Sequence, residues 1–220
     1  MQQPLSLSLY DYFLSDRIAD IVPLQPADAQ RIFKWLATQR IFGWHRQHNF
    51  CEARAEATSL LLEKTGIPHA KSWVFGAAFL HKGYVGGLLN NWNYHVAVAV
   101  PVLEQGQLCW WILDPAACTE PIPMVQWAEE ATAYPHSYHC IRQAQYFIFP
   151  DGKPYKKKWY KRNQRNYRWT IQGLAGIYSR NSFGRAKLAF CKKEIQKKFQ
   201  AFEELTTIAK QVLNTYKNTI

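Results

Sequence analysis

Two segments in the middle of the chain show the alternation that a pair of antiparallel β-strands requires. In NYHVAVAVPV, residues 93–102, side chains alternate strictly, and LCWWILDP, residues 108–115, is a second strand-like run closed by a proline. Successive side chains of a strand point to opposite faces of a sheet, and the turn sequence EQGQ separates the two runs. The pattern therefore predicts a β-hairpin. Its faces carry Tyr94, Val96, Val98 and Val100 on one side and His95, Ala97 and Ala99 on the other.

Helices and further strands are predicted around this hairpin. PADAQRIFKWLATQR, residues 26–40, predicts an amphipathic helix with Asp28 as its N-cap. CEARAEATSLLLEKTG predicts a helix from about Cys51 to Gly66, a residue type favoured just beyond helix ends. Strands are expected in AKSWVFGAAF and HCIRQAQYFIFP, a short helix in PMVQWAEEATAY, and a helix after Ser182. A cysteine-bearing helix followed by antiparallel strands is typical of the α+β class.

Length and charge bear on domain organisation. The chain has 220 residues, of which 48% are hydrophobic, which suits one domain or one domain with an appendage. Residues 1–150 hold 10 lysines and arginines against 12 acids, whereas residues 151–220 hold 17 against four. We therefore predict a core domain over residues 1–150 and a basic, partly helical extension over residues 151–220, packed on the core or following it.

The cysteines and the N-terminus bear on the compartment. Five cysteines without C-x-x-C spacing favour reduced thiols over a disulfide framework. The first twenty residues lack the basic start and apolar run of a secretory signal, and no stretch approaches the roughly 18 apolar residues of a membrane span. These features predict a protein that is cytoplasmic in the producing cell or exported without a classical signal peptide.

The basic extension has three interpretations. In KPYKKKWYKRNQRNYR, residues 153–168, cations alternate with aromatic rings, and a segment such as 153–169 would bind nucleic acid by following phosphates and stacking on bases. The wider region, residues 153–198, would equally suit an acidic protein partner or an anionic membrane surface through its lysine-rich helix. The third interpretation is a solvated basic surface whose aromatic side chains dock on the core.

Two polar residues lie near the open end of the predicted hairpin. Opposed residues of an antiparallel pair have position numbers with a constant sum. A turn centred on residues 104 and 105 places His95 directly opposite Asp114, and one centred on residues 105 and 106 makes the two diagonal neighbours. They share a face in both registers, at a Cβ separation of roughly 5 Å or roughly 7–8 Å. An aspartate at this position fixes the tautomer of an imidazole and stabilises the imidazolium, as a general base requires.

Cys51 adds a nucleophile to this pair. The amide donors and partial positive charge of a helix N-terminus lower the pKa of a thiol that sits there. Each residue also has an ordinary structural interpretation: Cys51 as a small buried hydrophobe, His95 as an edge histidine and Asp114 as a turn residue. Their order and the hairpin geometry favour a Cys-His-Asp arrangement for nucleophilic catalysis.

The sequence HSYHC offers a competing site. His136, His139 and Cys140 are ligand types for zinc, but His-x-x-His falls short of a standard zinc pattern and no partner pair is evident. We therefore predict no metal and no cofactor.

Three motifs, taken in order, resemble one known family. CEARA at the helix start, WNYHVAVAV at the second strand and WWILDPA at the third look like the protein-glutaminase family, bacterial cysteine amidohydrolases with a transglutaminase-like core. The gaps of 44 residues from Cys51 to His95 and of 19 from His95 to Asp114 are similar to those of the family. The resemblance spans about residues 45–130 and leaves out the basic C-terminal third. It implies a transglutaminase/papain-like core, with the nucleophile at a helix N-terminus packed on an antiparallel sheet.

The resemblance also implies an activity. Cys51 would attack the side-chain amide of a protein-bound glutamine, with His95 as general acid/base and Asp114 as its orienting carboxylate. Ammonia and glutamate would form through a γ-glutamyl thioester, and the partner would be a protein or peptide that contains glutamine. Trp92 and Tyr94 would wall the slot for the glutamine stem, unless they belong to the core.

Two kinds of alternative stay open. Related acyl-transfer cores also serve transglutaminases, cysteine proteases and acyltransferases. From a different class, a nucleic-acid-binding protein without enzymatic activity would use the basic aromatic segment 153–169.

Overall fold

The computed structural model describes residues 22–45, 50–75, 94–131, 138–147, 162–177 and 185–214. These ranges form an α+β fold, with one antiparallel sheet between two layers of helices, which confirms the predicted class. Three features of the sequence analysis lie outside the described residues: Trp92, His136 and the part of the basic run at 153–161. No helix in the described ranges is long and apolar enough to cross a membrane.

The sheet has five strands in the spatial order β4-β3-β2-β1-β5, and every neighbouring pair is antiparallel. The strands are β1 (Ala70–Phe75), β2 (Tyr94–Glu104), β3 (Gln107–Leu113), β4 (Ile122–Pro123) and β5 (Tyr138–Gln143). The sequence predicts all of them except β4, which is only two residues long. The central strand β2 is buried continuously from His95 to Val102 because helices cover both of its faces.

The β2–β3 hairpin adopts the second of the two predicted registers. Val98 pairs with Leu113 and Glu104 with Gln107, so the turn centres on residues 105 and 106. Gln105 and Gly106 both have positive φ, 50° and 80°, as the two-residue loops that match the strand twist require. His95 and Asp114 are therefore diagonal neighbours on one face of the sheet rather than directly opposed residues.

In the described ranges, five α-helices pack on the sheet or on one another. They are α1 (Pro26–Thr38), α2 (Cys51–Lys64), α3 (Met124–Ala131), α4 (Gln164–Leu174) and α5 (Arg185–Asn214). One face of the sheet, with the valines of β2, shares its core with residues of α1, α2, α4 and α5. The other face, with Ala97 and Ala99, packs on α3 around the fully buried Trp127.

The start of α1 differs from the prediction. Gln25 occupies the N-cap position and Pro26 the first turn, whereas the predicted cap, Asp28, lies buried within that turn. Proline is well suited to the first helical position because its fixed φ is helical and its missing N–H would have no partner there.

Helix α2 begins at Cys51, as predicted, after a strained residue. Phe50 has φ 66° and ψ 17°, a left-handed conformation that an aromatic residue rarely adopts, and its carbonyl accepts the first helical hydrogen bond from Arg54 N at 3.0 Å. Residues held in such conformations concentrate at functional sites because the surrounding structure must over-determine them. The helix ends ahead of Gly66, which has the positive φ (63°) expected there.

Helix α4 lies within the basic region and is not predicted from the sequence. Asn163 caps it, accepting hydrogen bonds from Arg165 N (2.9 Å) and Asn166 N (3.1 Å). It packs against α2 at very short range: a Cβ placed on Gly173 would lie 2.5 Å from the Cβ of Ala53 and 3.1 Å from a ring carbon of Phe50. Only glycine fits at this crossing.

A buried cluster of charges ties the same two regions together. Glu56 of α2 is fully buried and pairs with both Lys71 of β1 and Arg162, which also pairs with Glu63. Lys71 Nζ donates in addition to the Tyr146 carbonyl at 2.8 Å. Arg162 therefore joins α2 to the start of the C-terminal region.

We predict that Gly173→Ala destabilises the protein, although glycine to alanine normally stabilises a helix by about 1 kcal/mol. The new methyl group has no space beside Ala53, and such overpacking costs about 1–3 kcal/mol. Urea unfolding measures the change in the free energy of unfolding. In the double variant Ala53→Gly/Gly173→Ala the clash is absent, so the two changes should be non-additive by at least about 1 kcal/mol. A Gly173→Ala protein as stable as the parent would contradict the close packing.

Candidate active site

The Cys51 thiol lies between its own helix and strand β2. The backbone N–H of Val96, the residue after His95, hydrogen-bonds its sulfur, and the thiol donates to Glu52 Oε2 at 3.4 Å. Burial, and next the Glu52 carboxylate, raise the pKa of this thiol well above its usual range, against the smaller opposing effects of Arg54 and Val96. The expectation of a thiol whose pKa is lowered by the helix N-terminus is therefore wrong: at rest Cys51 holds its proton.

His95 and Asp114 form a buried pair, as their hairpin positions predict. His95 Nε2 and Asp114 Oδ2 are 2.7 Å apart, and the two residues are only 2% and 4% exposed. A carboxylate can only accept, so Nε2 carries the proton of this bond and Nδ1 is the ring nitrogen that can act as a base. The imidazole is thus held in one tautomer, with its base atom turned away from the aspartate.

Two residues that the sequence analysis did not single out support Asp114. Trp127 of α3 donates its indole N–H to the same Oδ2 at 3.3 Å, and its ring lies 5.6 Å from that of His95. Burial alone would raise the pKa of Asp114, but His95, the Arg54 guanidinium and the Trp127 N–H together hold it below the usual range. Asp114 is consequently ionised at neutral pH. The short helix around Trp127 is visible in the sequence, but its contact with Asp114 depends on tertiary packing alone.

Asp114 also forms the turn that its position before Pro115 suggests. Its backbone carbonyl accepts hydrogen bonds from Ala117 N (3.0 Å) and Cys118 N (2.8 Å). The backbone of Asp114 thus closes the turn, and its side chain faces His95.

A pocket of about 280 Å³ opens beside these groups. It is lined by Phe50, Glu52, Ala53, Tyr94, Phe147, Trp169, Gln172, Gly173 and Ile177. Phe50 and Glu52 are the chain neighbours of Cys51, and Tyr94 precedes His95. Tyr94, a predicted substrate-binding residue, therefore lies at the wall of a pocket. Trp92, the other, lies outside the described residues.

The remaining histidines with known surroundings are structural in character. His69 bonds Ser59 Oγ (2.8 Å) and the Ile67 carbonyl (2.8 Å), and His139 bonds Ser72 Oγ (2.5 Å). Burial lowers the pKa of each to about 4, so both are neutral at physiological pH. Within the described ranges, no group of three His, Cys, Asp or Glu side chains is placed to hold a metal ion.

We predict that Glu52→Gln makes Cys51 more reactive. The substitution removes the negative charge beside the sulfur, so the thiol pKa falls and the thiolate fraction at a given pH rises. The second-order rate of alkylation of Cys51 by iodoacetamide at pH 8, followed by peptide mass spectrometry, should increase at least threefold. Glu120→Gln, at an exposed position, serves as the matched control and should leave the rate unchanged. Equal rates in the two variants would show that Glu52 does not control the thiol.

Comparison with known proteins agrees with this fold. Residues 29–131 match the sequence model of a family described as glutaminase. The fold is similar to the solution structure of protein-glutaminase from Chryseobacterium proteolyticum (TM-score 0.54, 15% identity, 76% of this chain and 94% of that one). It is also similar to a crystal structure of protein-glutaminase (TM-score 0.55, 15% identity, 76% and 94%).

A third similar structure is the A47Q2 mutant of pro-protein-glutaminase, with a TM-score of 0.53 and 15% identity over 71% of this chain and 57% of that one. No curated protein sequence is similar enough to count as a match. The match of residues 29–131 to the glutaminase family model agrees with the resemblance seen in the sequence, and the solved structures show that the fold is similar to that of protein-glutaminase.

Proposed function

We propose that this chain deamidates protein-bound glutamine to glutamate, with Cys51, His95 and Asp114 as its catalytic residues. The observation that carries the proposal is the buried hydrogen bond of 2.7 Å between His95 and Asp114. The backbone N–H of the next residue in the strand, Val96, hydrogen-bonds the Cys51 sulfur, so the strand that carries His95 also contacts the nucleophile. The family match supports glutamine amide hydrolysis in general. The substrate would be a protein or peptide that contains glutamine.

The first half of the reaction forms a thioester. Because the raised pKa keeps Cys51 protonated, attack on the γ-carbonyl carbon of glutamine must be accompanied by transfer of the thiol proton to His95 Nδ1. The carbonyl oxygen becomes an oxyanion, which the amide N–H of Cys51 at the start of α2 would stabilise. The tetrahedral species collapses as His95 returns the proton to the amide nitrogen, which leaves as ammonia.

The second half hydrolyses the γ-glutamyl thioester. Water gives a proton to His95 Nδ1 as its oxygen attacks the thioester carbon, and the carbon–sulfur bond then breaks. The sulfur takes the proton back and the glutamate side chain departs. In sum, one amide and one water become one carboxylic acid and one ammonia.

Asp114 and its neighbours maintain the imidazole through both halves. The carboxylate fixes Nε2 as the protonated nitrogen and stabilises the imidazolium that each half forms transiently. The Trp127 N–H and the Arg54 charge keep Asp114 ionised and oriented. We further propose that this arrangement, a nucleophile on a helix N-terminus beside a histidine–aspartate hairpin, is a transglutaminase/papain-like core over residues 1–150.

The C-terminal region retains several candidate partners. For residues 153–198, the candidate partners remain an acidic protein, an anionic membrane surface or nucleic acid. The compartment also remains a prediction: the protein is cytoplasmic in the producing cell or exported without a classical signal peptide. Several described aromatic side chains of the region contact other residues of the protein: Tyr167 donates to Glu203 at 2.6 Å and packs on Phe202, and Arg165 stacks on Trp169 at 5.1 Å. These contacts support the interpretation in which its aromatic residues dock on the protein itself.

We predict that the protein converts glutamine to glutamate in a denatured protein substrate such as casein. Each event replaces a γ-amide with a carboxylic acid and adds about 1 Da by intact mass spectrometry, with one ammonia released. Cys51→Ala should abolish both signals, whereas Cys109→Ala, which removes another half-buried thiol, should leave them unchanged.

The same experiment separates the alternatives within the enzyme class. Incorporation of an added primary amine in preference to water would identify a transglutaminase, and chain cleavage would identify a protease. Ammonia release that persists in Cys51→Ala would refute the nucleophile.

We predict graded effects for the two groups that support the imidazole. Asp114→Asn loses the negative charge and the acceptor that fixes the tautomer, so kcat should fall about 10³- to 10⁴-fold. Trp127→Phe loses one hydrogen bond to Asp114, and kcat should fall about tenfold. Steady-state ammonia release measures both, with thermal unfolding as a check on folding. A Trp127→Phe effect as large as that of Asp114→Asn would point to a structural rather than an orienting role for Trp127.

A further inference from the structure

We propose that the pocket between α2 and α4 binds an apolar side chain next to the target glutamine of the substrate, and that Trp169 of α4 determines this specificity. The inference rests on the proposed deamidation, because it assigns a subsite beside the reacting groups. It gives the C-terminal third of the chain a role in substrate recognition.

The position of the pocket supports a role next to the reaction. Its wall includes Phe50 and Glu52, the residues on either side of Cys51, together with Tyr94 of β2. Cys51 itself does not line the pocket, so the pocket lies beside the thiol rather than around it. A polypeptide whose glutamine reaches Cys51 would place a neighbouring residue at this opening.

The size and chemistry of the pocket indicate its occupant. A volume of about 280 Å³ lies just below the range of about 300–1,000 Å³ of small-molecule and cofactor sites, and so suits a single side chain. The wall is mainly aromatic, formed by the rings of Phe50, Tyr94, Phe147 and Trp169, with Glu52 and Gln172 as its charged and amide groups. Leucine, methionine and phenylalanine are the side chains that such a surface favours.

The α4 side of the pocket is rigidly held. Gly173 brings α4 into direct contact with Ala53 and Phe50, and Arg162, just ahead of the helix, pairs with Glu56 and Glu63 of α2. The ring of Trp169 lies 6.4 Å from that of Phe147 and is itself half-buried, so part of its surface remains accessible from the pocket. A wall fixed before binding loses little entropy when a ligand arrives, which favours selectivity.

The test uses two peptide forms, Ac-Gly-Xaa-Gln-Gly-Gly amide and Ac-Gly-Gln-Xaa-Gly amide. Each form is made once with leucine and once with glycine as Xaa. In the parent protein, kcat/KM for ammonia release should be at least tenfold higher with leucine than with glycine at one of the two positions, within the 10- to 200-fold range of apolar pockets. Trp169→Ala should reduce this ratio to below threefold, and Trp169→Phe should keep most of it. Phe190→Ala, which removes an exposed aromatic residue of α5 outside the pocket, should leave the ratio unchanged.

A variant that is expected to raise the leucine-to-glycine ratio of kcat/KM serves as a control for loss of folding, because a misfolded protein would not become more selective. Gln172→Leu replaces the amide of the wall with an apolar group and should raise the leucine-to-glycine ratio at least twofold. A parent ratio near one at both positions, or a ratio insensitive to both Trp169→Ala and Gln172→Leu, would overturn the inference while leaving deamidation intact.

A binding measurement separates this inference from the proposed activity. Fluorescence anisotropy of labelled peptides with the Cys51→Ala protein should show at least tenfold tighter binding of the leucine peptide, lost in Cys51→Ala/Trp169→Ala. Selective binding with no deamidation of any peptide by the parent would support the pocket and refute the activity. Deamidation without selective binding would refute the pocket alone.

Discussion

The β2–β3 hairpin pairs in a single register, set where Gln105 and Gly106 both adopt left-handed backbone conformations. Because side chains alternate along a strand, a slip of one residue would move every side chain of β3 to the opposite face. His95 and Asp114 would then point to different sides of the sheet, and the aspartate could not hold the imidazole. The two-residue turn is thus the constraint on which the candidate site depends, although it lies about 30 Å from the pair along strands that rise about 3.3 Å per residue.

Buried charge organises the protein in two separate places. Asp114 lies with His95, Trp127 and Arg54, and Glu56 lies with Lys71 and Arg162. A buried ion is costly unless it is paired and hydrogen-bonded, so each cluster forms only when several elements meet in one arrangement. Helix α2 contributes Arg54 to the first and Glu56 to the second. The helix that carries Cys51 is consequently fixed both to the hairpin and to the C-terminal region.

The sequence predicts the parts of this structure that arise from local patterns. The alternation around His95, the β-turn signal and the helix from Cys51 to Gly66 are all properties of short segments, and the structure has each of them. The choice between the two hairpin registers could not be made, because EQGQ lacks the Asn-Gly or Asp-Gly pair that identifies such a turn. Helix α4 escaped prediction because its basic and aromatic residues are typical of an exposed binding segment. The protonation state of the Cys51 thiol depends on its burial and on the position of the Glu52 side chain, and neither can be predicted from the residues at a helix N-terminus.

The protonated state of Cys51 has a consequence for the durability of the protein. Oxidants such as hydrogen peroxide attack thiolates, and the conversion of cysteine to sulfenic and then sulfinic acid follows thiolate character and exposure. A half-buried thiol whose pKa is raised by burial and by Glu52 offers little of the susceptible form at rest. In the proposed mechanism the sulfur loses its proton only as a substrate carbonyl arrives to receive it. A thiol that ionises only in the presence of substrate is expected to be oxidised more slowly than a resting thiolate.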